Sequence, residues 1–198
     1  MTDSGGCFVP TDTLACGCAS VAGVLESPLE ALIAVAAPEC PRHRSGDTIS
    51  VLAHRVIVTG SRYWTDEHLI YADLEYQLSY AHAIRAVLTV VHGNNPKGAD
   101  ADAARWAQWA KPRGVVEEPV DADWTRDCDT ECRHAPRRRA DGSTYCPAAG
   151  NLRNQVMVDR GATLCLAYPL GGTGTADCMR RAARAGIPVY NRAEVPLV

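Results

Sequence analysis

Three thiols and an imidazole crowd one short stretch of this chain, as Cys128-x3-Cys132-x-His134 followed by Cys146. Cysteine thiolates with one histidine are a normal ligand set for tetrahedral zinc, and a closed set of four leaves no water on the metal. The chemistry expected here is structural: a Zn(2+) ion that folds the segment around it, weighed against free thiols in a loop or a redox pair. A second group, Cys7, Cys16, Cys18 and Cys40 with His43 as a spare, is too dispersed to carry the same argument and competes with a loosely packed extension. Nine cysteines is an odd count, which argues against a simple disulfide framework and for metal binding in a reducing compartment.

The other chemistry-bearing residues are glycines and donors that follow apolar runs. Gly60-Ser61-Arg62 offers a tight turn, a hydroxyl and a planar cation suited to phosphate or carboxylate. His92-Gly93-Asn94-Asn95-Pro96-Lys97-Gly98-Ala99-Asp100 leads into a helix start, where free N–H groups and the dipole favour an anion. Pro169-Leu170-Gly171-Gly172-Thr173-Gly174-Thr175 does the same and is the best phosphate loop in the chain, although it lacks the Lys-Ser/Thr pair of a Walker loop. Each loop alone is better explained by chain reversal, and the case for an anion rests on three such loops at strand ends. Asp100 is equally an acid that complements a helix dipole, and His92 reads as a packed strand-end residue with no evident carboxylate partner. Trp106 and Trp109 read as core or helix-face packing.

The elements that must position these loops alternate. Arg55–Gly60 is a β-branched run ending in glycine, as buried parallel strands are. A helix is expected from Asp66 to Ala81, with Asp66 as N-cap, then a strand from Ala86 to His92 and a helix from Ala99 to Ala110. Further strands are expected at 115–120, 162–168 and 187–190, and further helices at 151–160 and 175–185. The pattern predicts an α/β fold: an open parallel Rossmann-like sheet of about five strands with helices on both faces. Ligands of such sheets bind beyond the carboxyl ends of the strands, where these loops lie. Residues 54–198 form this expected domain. A Cys-rich insertion at 122–148 interrupts it, too long for a plain connection, and residues 1–53 form an N-terminal Cys-containing extension. Within that extension Ser27-Pro28-Leu29-Glu30 reads as a capping box opening a helix over Ala31 to Ala37.

Four segments in this order resemble the SLOG superfamily in its YspA-like, YpsA-related branch. They are Arg55 to Arg62 with Trp64, His92-Gly93 to Gly98-Ala99-Asp100, Arg153-Asn154 to Met157, and Gly171-Gly172-Thr173-Gly174-Thr175-Ala176-Asp177. The resemblance spans about Arg55 to Tyr190 and is more distant to DprA proteins and to the "lonely guy" phosphoribohydrolases. It implies a nucleotide or nucleotide-derived ligand held by Gly60, Ser61, Arg62, Gly93, Gly98, Asp100, Arg153, Asn154, Gly171, Gly172, Thr173, Gly174 and Thr175. It also implies that Arg153 meets phosphate and Asn154 a ribose or base. The phosphoribohydrolase loop carries a glutamate three positions after its last threonine, and here that position is Cys178. A thiol does not replace a carboxylate at a breaking N-glycosidic bond.

The expected role is therefore a ligand sensor or nucleotide-processing factor, with two alternatives kept open: a nucleotide-cleaving hydrolase and a nucleic-acid-binding accessory protein. A net charge of -3 gives no basic field for nucleic acid in bulk, so only a local patch such as Arg137-Arg138-Arg139 would serve. That run reads first as a solvated tip, with reach toward a nucleic acid or toward the phosphate of a ligand as the alternatives. No apolar run reaches membrane length and the first residues lack a cationic leader, so a cytoplasmic location is expected. A homo-oligomer is left open.

Overall fold

Val56, Ile57 and Val58 are fully buried in the computed structural model, with Val56 and Val58 in one apolar cluster and Ile57 in another. That alternation is the signature of a strand packed on both faces. The structure describes residues 32–35, 48–128, 132 and 134–193. Its elements are β1 (Leu32–Val35), β2 (Thr48–Gly60), α1 (Glu67–Ala83), β3 (Ala86–His92), α2 (Ala99–Ala110), a 3-10 turn (Lys111–Arg113), β4 (Val116–Pro119), β5 (Arg137–Arg138), β6 (Thr144–Tyr145), α3 (Ala149–Asp159), β7 (Leu164–Tyr168), α4 (Thr173–Arg184) and β8 (Val189–Asn191).

The parallel strands run in the order β4-β3-β2-β7-β8. Connections step outward from β2 through β3 to β4, then cross back to β7 on the other side. The order therefore reverses between β2 and β7, whose carboxyl ends meet at the Gly60–Tyr168 pair. Helices α1 and α2 cover one face through Ile70, Leu74, Leu78, Ala103, Trp106 and Ala107. Helices α3 and α4 cover the other through Met157, Val158, Cys178 and Ala182. Every residue of β3 is buried. This is the expected Rossmann-like sheet.

Local signals explain the boundaries. Asp66 caps α1, its side chain accepting the Leu69 N–H at 3.1 Å, a bond worth about 1 kcal/mol. Gly114 closes the turn after α2 in the left-handed conformation, at φ 82°. Trp106 is core, whereas Trp109 is 67% exposed, with the Arg113 guanidinium 4.5 Å from its ring centre.

Two expectations change. The helix over Ala31 to Ala37 is not formed at Leu32–Val35, which is strand β1, paired antiparallel with Thr48–Val51 of β2. The backbone pairing runs from Leu32 opposite Val51 to Val35 opposite Thr48, and this ladder between segments that are distant in sequence outweighs the local helix signal. For the same reason β2 begins at Thr48 instead of Arg55. Ser27 to Glu30 and the group Cys7, Cys16, Cys18, Cys40 and His43 lie outside the described residues. No helix among the described residues is long and apolar enough to cross a membrane.

Candidate functional site

The loop after β2 is built around Ser61. Its N–H donates to the Tyr168 carbonyl at 3.0 Å, and its own carbonyl accepts from Trp64 at 3.1 Å and Ala99 at 3.2 Å. One residue thus joins the ends of β2 and β7 to the start of α2. Gly60 and Gly98 are required by this junction. A Cβ on Gly60 would lie 2.4 Å from the Ala99 Cβ, and one on Gly98, whose φ is +67°, would lie 2.2 Å from the Ser61 carbonyl oxygen. Tyr168 completes the floor: its hydroxyl donates to Asp73 Oδ2 at 2.8 Å, and Trp64 packs on its ring at 5.3 Å between centroids.

The loop after β3 is held by buried polar groups. His92 is wholly buried; its Nδ1 accepts the Asn94 N–H at 3.1 Å, so Nε2 carries the proton and donates to Glu117 Oε1 at 3.1 Å. The carboxylate partner that the sequence hid stands in the neighbouring strand. Asp100 accepts the Asn95 N–H at 3.3 Å and lies 3.8 Å from Arg153. Burial raises its pKa, against the opposing charge of Arg153 and the Asn95 amide.

Arg153 and Asn154 face inward. Arg153 Nη1 donates to the Gly93 carbonyl and its Nε to Asn154 Oδ1 at 3.2 Å; a Cβ on residue 93 would overlap the guanidinium. Asn154 Nδ2 donates to the Gly174 carbonyl and to Asp177 Oδ2, both at 3.1 Å. The pair therefore clamps the second and third loops onto the sheet.

The third loop differs from the other two. Gly171 takes a left-handed φ of +77°, but Gly172 has an ordinary φ of -78° and Gly174 lies in the first turn of α4. Apart from the adjoining residues and the helix's own backbone, no protein atom lies within 4 Å of where a Cβ would stand on either. Thr175 is buried, whereas Gly171 to Gly174 are exposed. Cys178, at the position of the hydrolase glutamate, is wholly buried and turned toward Cys165 and Thr59. The neighbouring Asp177 is bound by Asn154 and by Arg181 Nε at 2.7 Å.

A cavity of about 540 Å³ opens beyond the β2 and β7 ends. Arg62 and Thr173 line it from the sheet side, while Trp124, Arg137, Arg139, Tyr145 and Pro147 close it from the insertion. No acidic side chain lines it among the described residues. Arg137 is exposed, as a solvated tip would be, and the short β5–β6 hairpin also turns it over this space.

Behind that wall Cys128, Cys132, His134 and Cys146 bring their ligand atoms within 4.8 Å of one another. Cys128 Sγ lies 3.8 Å from His134 Nδ1, Cys146 Sγ 3.9 Å from His134 Nε2, and Cys132 Sγ 4.0 Å from Cys146 Sγ. Tetrahedral ligands at about 2.0–2.3 Å from one ion stand at roughly such separations. The four residues expected as a metal set form one, and it could hold a metal ion.

A parallel sheet in this order, with its loops converging at the reversal, defines a Rossmann-like α/β protein. Residues 54–126 match the family described as YspA, cpYpsA-related SLOG family. The chain is 39% identical over 143 residues to the Gene 61 protein of Mycobacterium phage D29, an overlap of 72% of this chain and 98% of that protein. No solved structure matches. The chain belongs to the YspA, cpYpsA-related SLOG family, and membership points to nucleotide-related binding. The family match ends at residue 126, ahead of Cys128.

Proposed function

We propose that the protein binds a nucleotide or nucleotide-derived small molecule at the β2–β7 reversal, as a ligand sensor or nucleotide-processing factor. The ligand's phosphate rests on the first turn of α4, at Gly172 to Thr175, with Arg62 as countercharge. The observation that carries this reading is the pair Gly172 and Gly174, whose missing side chains neither packing nor, at Gly172, backbone conformation explains. They leave the N–H groups of a helix N-terminus open beside an arginine-lined cavity. Gly60, Gly93, Gly98, Arg153 and Asn154 serve the same site by fixing its loops rather than by touching the ligand. The metal is zinc, as three thiolates and one imidazole favour, and its closed set is structural.

Mass spectrometry of what co-purifies with the protein identifies candidate ligands, and calorimetry with these and with the common ribonucleotides tests the site. Arg62→Ala and Gly172→Val are each expected to weaken binding roughly ten- to a hundredfold. Binding by both variants at parental strength would place the ligand elsewhere.

A further inference from the structure

The cavity draws more of its wall from the insertion than from the sheet, and the metal cluster is what places that wall. Cys146, a wholly buried member of the cluster, stands between the lining residues Tyr145 and Pro147. Its N–H donates to the carbonyl of Trp124, a third lining residue, at 3.3 Å. The hairpin that carries the arginines has two residues per strand, pairing Arg137 with Tyr145 and Arg138 with Thr144. A ribbon that short does not hold its own shape in water. Cys128, Cys132 and His134 precede it and Cys146 follows it, so an ion in the cluster ties both of its ends together.

The chemistry of the wall specifies what it meets. Arg137 and Arg139 are two positions apart in extended chain, hence on one face, and both line the cavity while Arg138 does not. The Arg139 guanidinium lies 5.0 Å from the Tyr145 ring centre and donates to Ser143 Oγ at 3.3 Å. Arg62 faces them from the β2 loop. Three guanidiniums with no acid among the lining residues outweigh a single phosphate monoester, which carries about 1.5 to 2 negative charges. The exposed ring of Trp124 adds a surface for a base.

We propose that the metal-bound insertion is the second half of the ligand site, with Arg137 and Arg139 gripping a second phosphate, so that the ligand is of the nucleoside diphosphate class and its tight binding requires the metal. This rests on the nucleotide-binding reading above and adds the number of phosphates and the metal dependence.

The test is calorimetry on the full chain with the mono- and diphosphates of the four common ribonucleosides, and with inorganic phosphate and pyrophosphate. A diphosphate is expected to bind at least tenfold more tightly than its monophosphate, and pyrophosphate more tightly than phosphate. The Arg137→Ala/Arg139→Ala double variant, which alters only exposed side chains, is expected to lose that margin. Protein stripped of metal by a chelator is expected to lose it as well. Equal affinity for mono- and diphosphates, or a margin kept by the double variant or by stripped protein, overturns the proposal. Monophosphate binding that is sensitive to Gly172→Val but shows no margin leaves the nucleotide reading standing and removes this one; failure of every nucleotide to bind removes both.

Discussion

The guanidinium of Arg153 occupies the space that a side chain at position 93 would need, and it donates into the Gly93 carbonyl. The third helix of the fold thereby pins the loop that follows the second parallel strand, and does so through an arginine that the sequence suggests for phosphate. The two kinds of glycine at this site should respond differently to the same change. Gly93→Ala must displace a partly buried arginine and is expected to cost about 1–3 kcal/mol in urea unfolding, the usual range for overpacking. Gly172→Ala meets open space and should cost no more than about 1 kcal/mol, the effect of replacing glycine at a helix N-cap. Equal stability of the two variants would mean that Arg153 does not hold the loop.

Glu118 anchors the sheet's far edge by accepting from Arg55 Nη1 at 2.6 Å and Nη2 at 3.0 Å, and from Arg160 Nη1 at 3.0 Å. Burial alone would raise its pKa, but the hydrogen bonds and charge of Arg55, then those of Arg160, outweigh this and lower it. A depressed folded pKa contributes stability that is present above the unfolded value of 4.5 and is lost as pH falls through the folded one. Glu118→Gln leaves the buried Arg55 charge uncompensated and should cost about 3–5 kcal/mol at neutral pH. Its unfolding free energy should also lack the part of the acid slope that Glu118 gives the parent. Parallel acid profiles for parent and variant would show that the pair is not coupled to folding.

The parts of this fold that were legible in the sequence are those with local period and local punctuation. Helix Ala99–Ala110 and strand Ala86–His92 fall where the pattern puts them, and Asp66 caps its helix as expected. The Cys128, Cys132, His134 and Cys146 set was legible because ligand chemistry is written in residue type. What stayed hidden depends on pairings across the chain. Glu118 meets Arg55 over a separation of 63 residues, and His92 meets Glu117 over 25. No periodicity marks such partners, and Leu32–Val35 likewise becomes a strand only because Thr48–Val51 lies beside it. The inward turn of Arg153 and the reach of Arg137 over the cavity are facts of docking between elements, which single-segment patterns do not contain.

Asp100 offers a pH test of the second loop with the opposite sign. Its pKa is raised, first by burial and against the charge of Arg153 and the Asn95 amide. A raised folded pKa gives stability that is complete below the unfolded value of 3.8 and is lost as pH rises through the folded one, so the ionised carboxylate costs stability at neutral pH. Asp100→Asn keeps an acceptor for the Asn95 N–H and removes that cost. The variant should be more stable than the parent at pH 7, on the order of 1 kcal/mol, with the gap closing toward pH 4. Thermal melts across that range check it; a variant less stable at pH 7 would show that the Arg153 contact outweighs burial.

The metal prediction follows from how little else holds the insertion. Between Trp124 and Ala149 the described backbone has only the two-residue strands Arg137–Arg138 and Thr144–Tyr145, plus isolated turns. Zinc ligation by three thiolates and an imidazole releases enough free energy to fold small segments outright. Protein purified without chelator is expected to contain zinc in the Cys128, Cys132, His134 and Cys146 site, and Cys132→Ser to lose it from there. The parallel sheet does not depend on these four residues, since its two apolar clusters contain none of them. Limited proteolysis should therefore cut the Cys132→Ser protein within residues 127–145 while the core from β2 to α2 resists, and the parent should stay uncut within 127–145 under the same exposure. Absence of zinc from the parent, or an insertion equally resistant in the variant, would show that something other than a metal folds this segment.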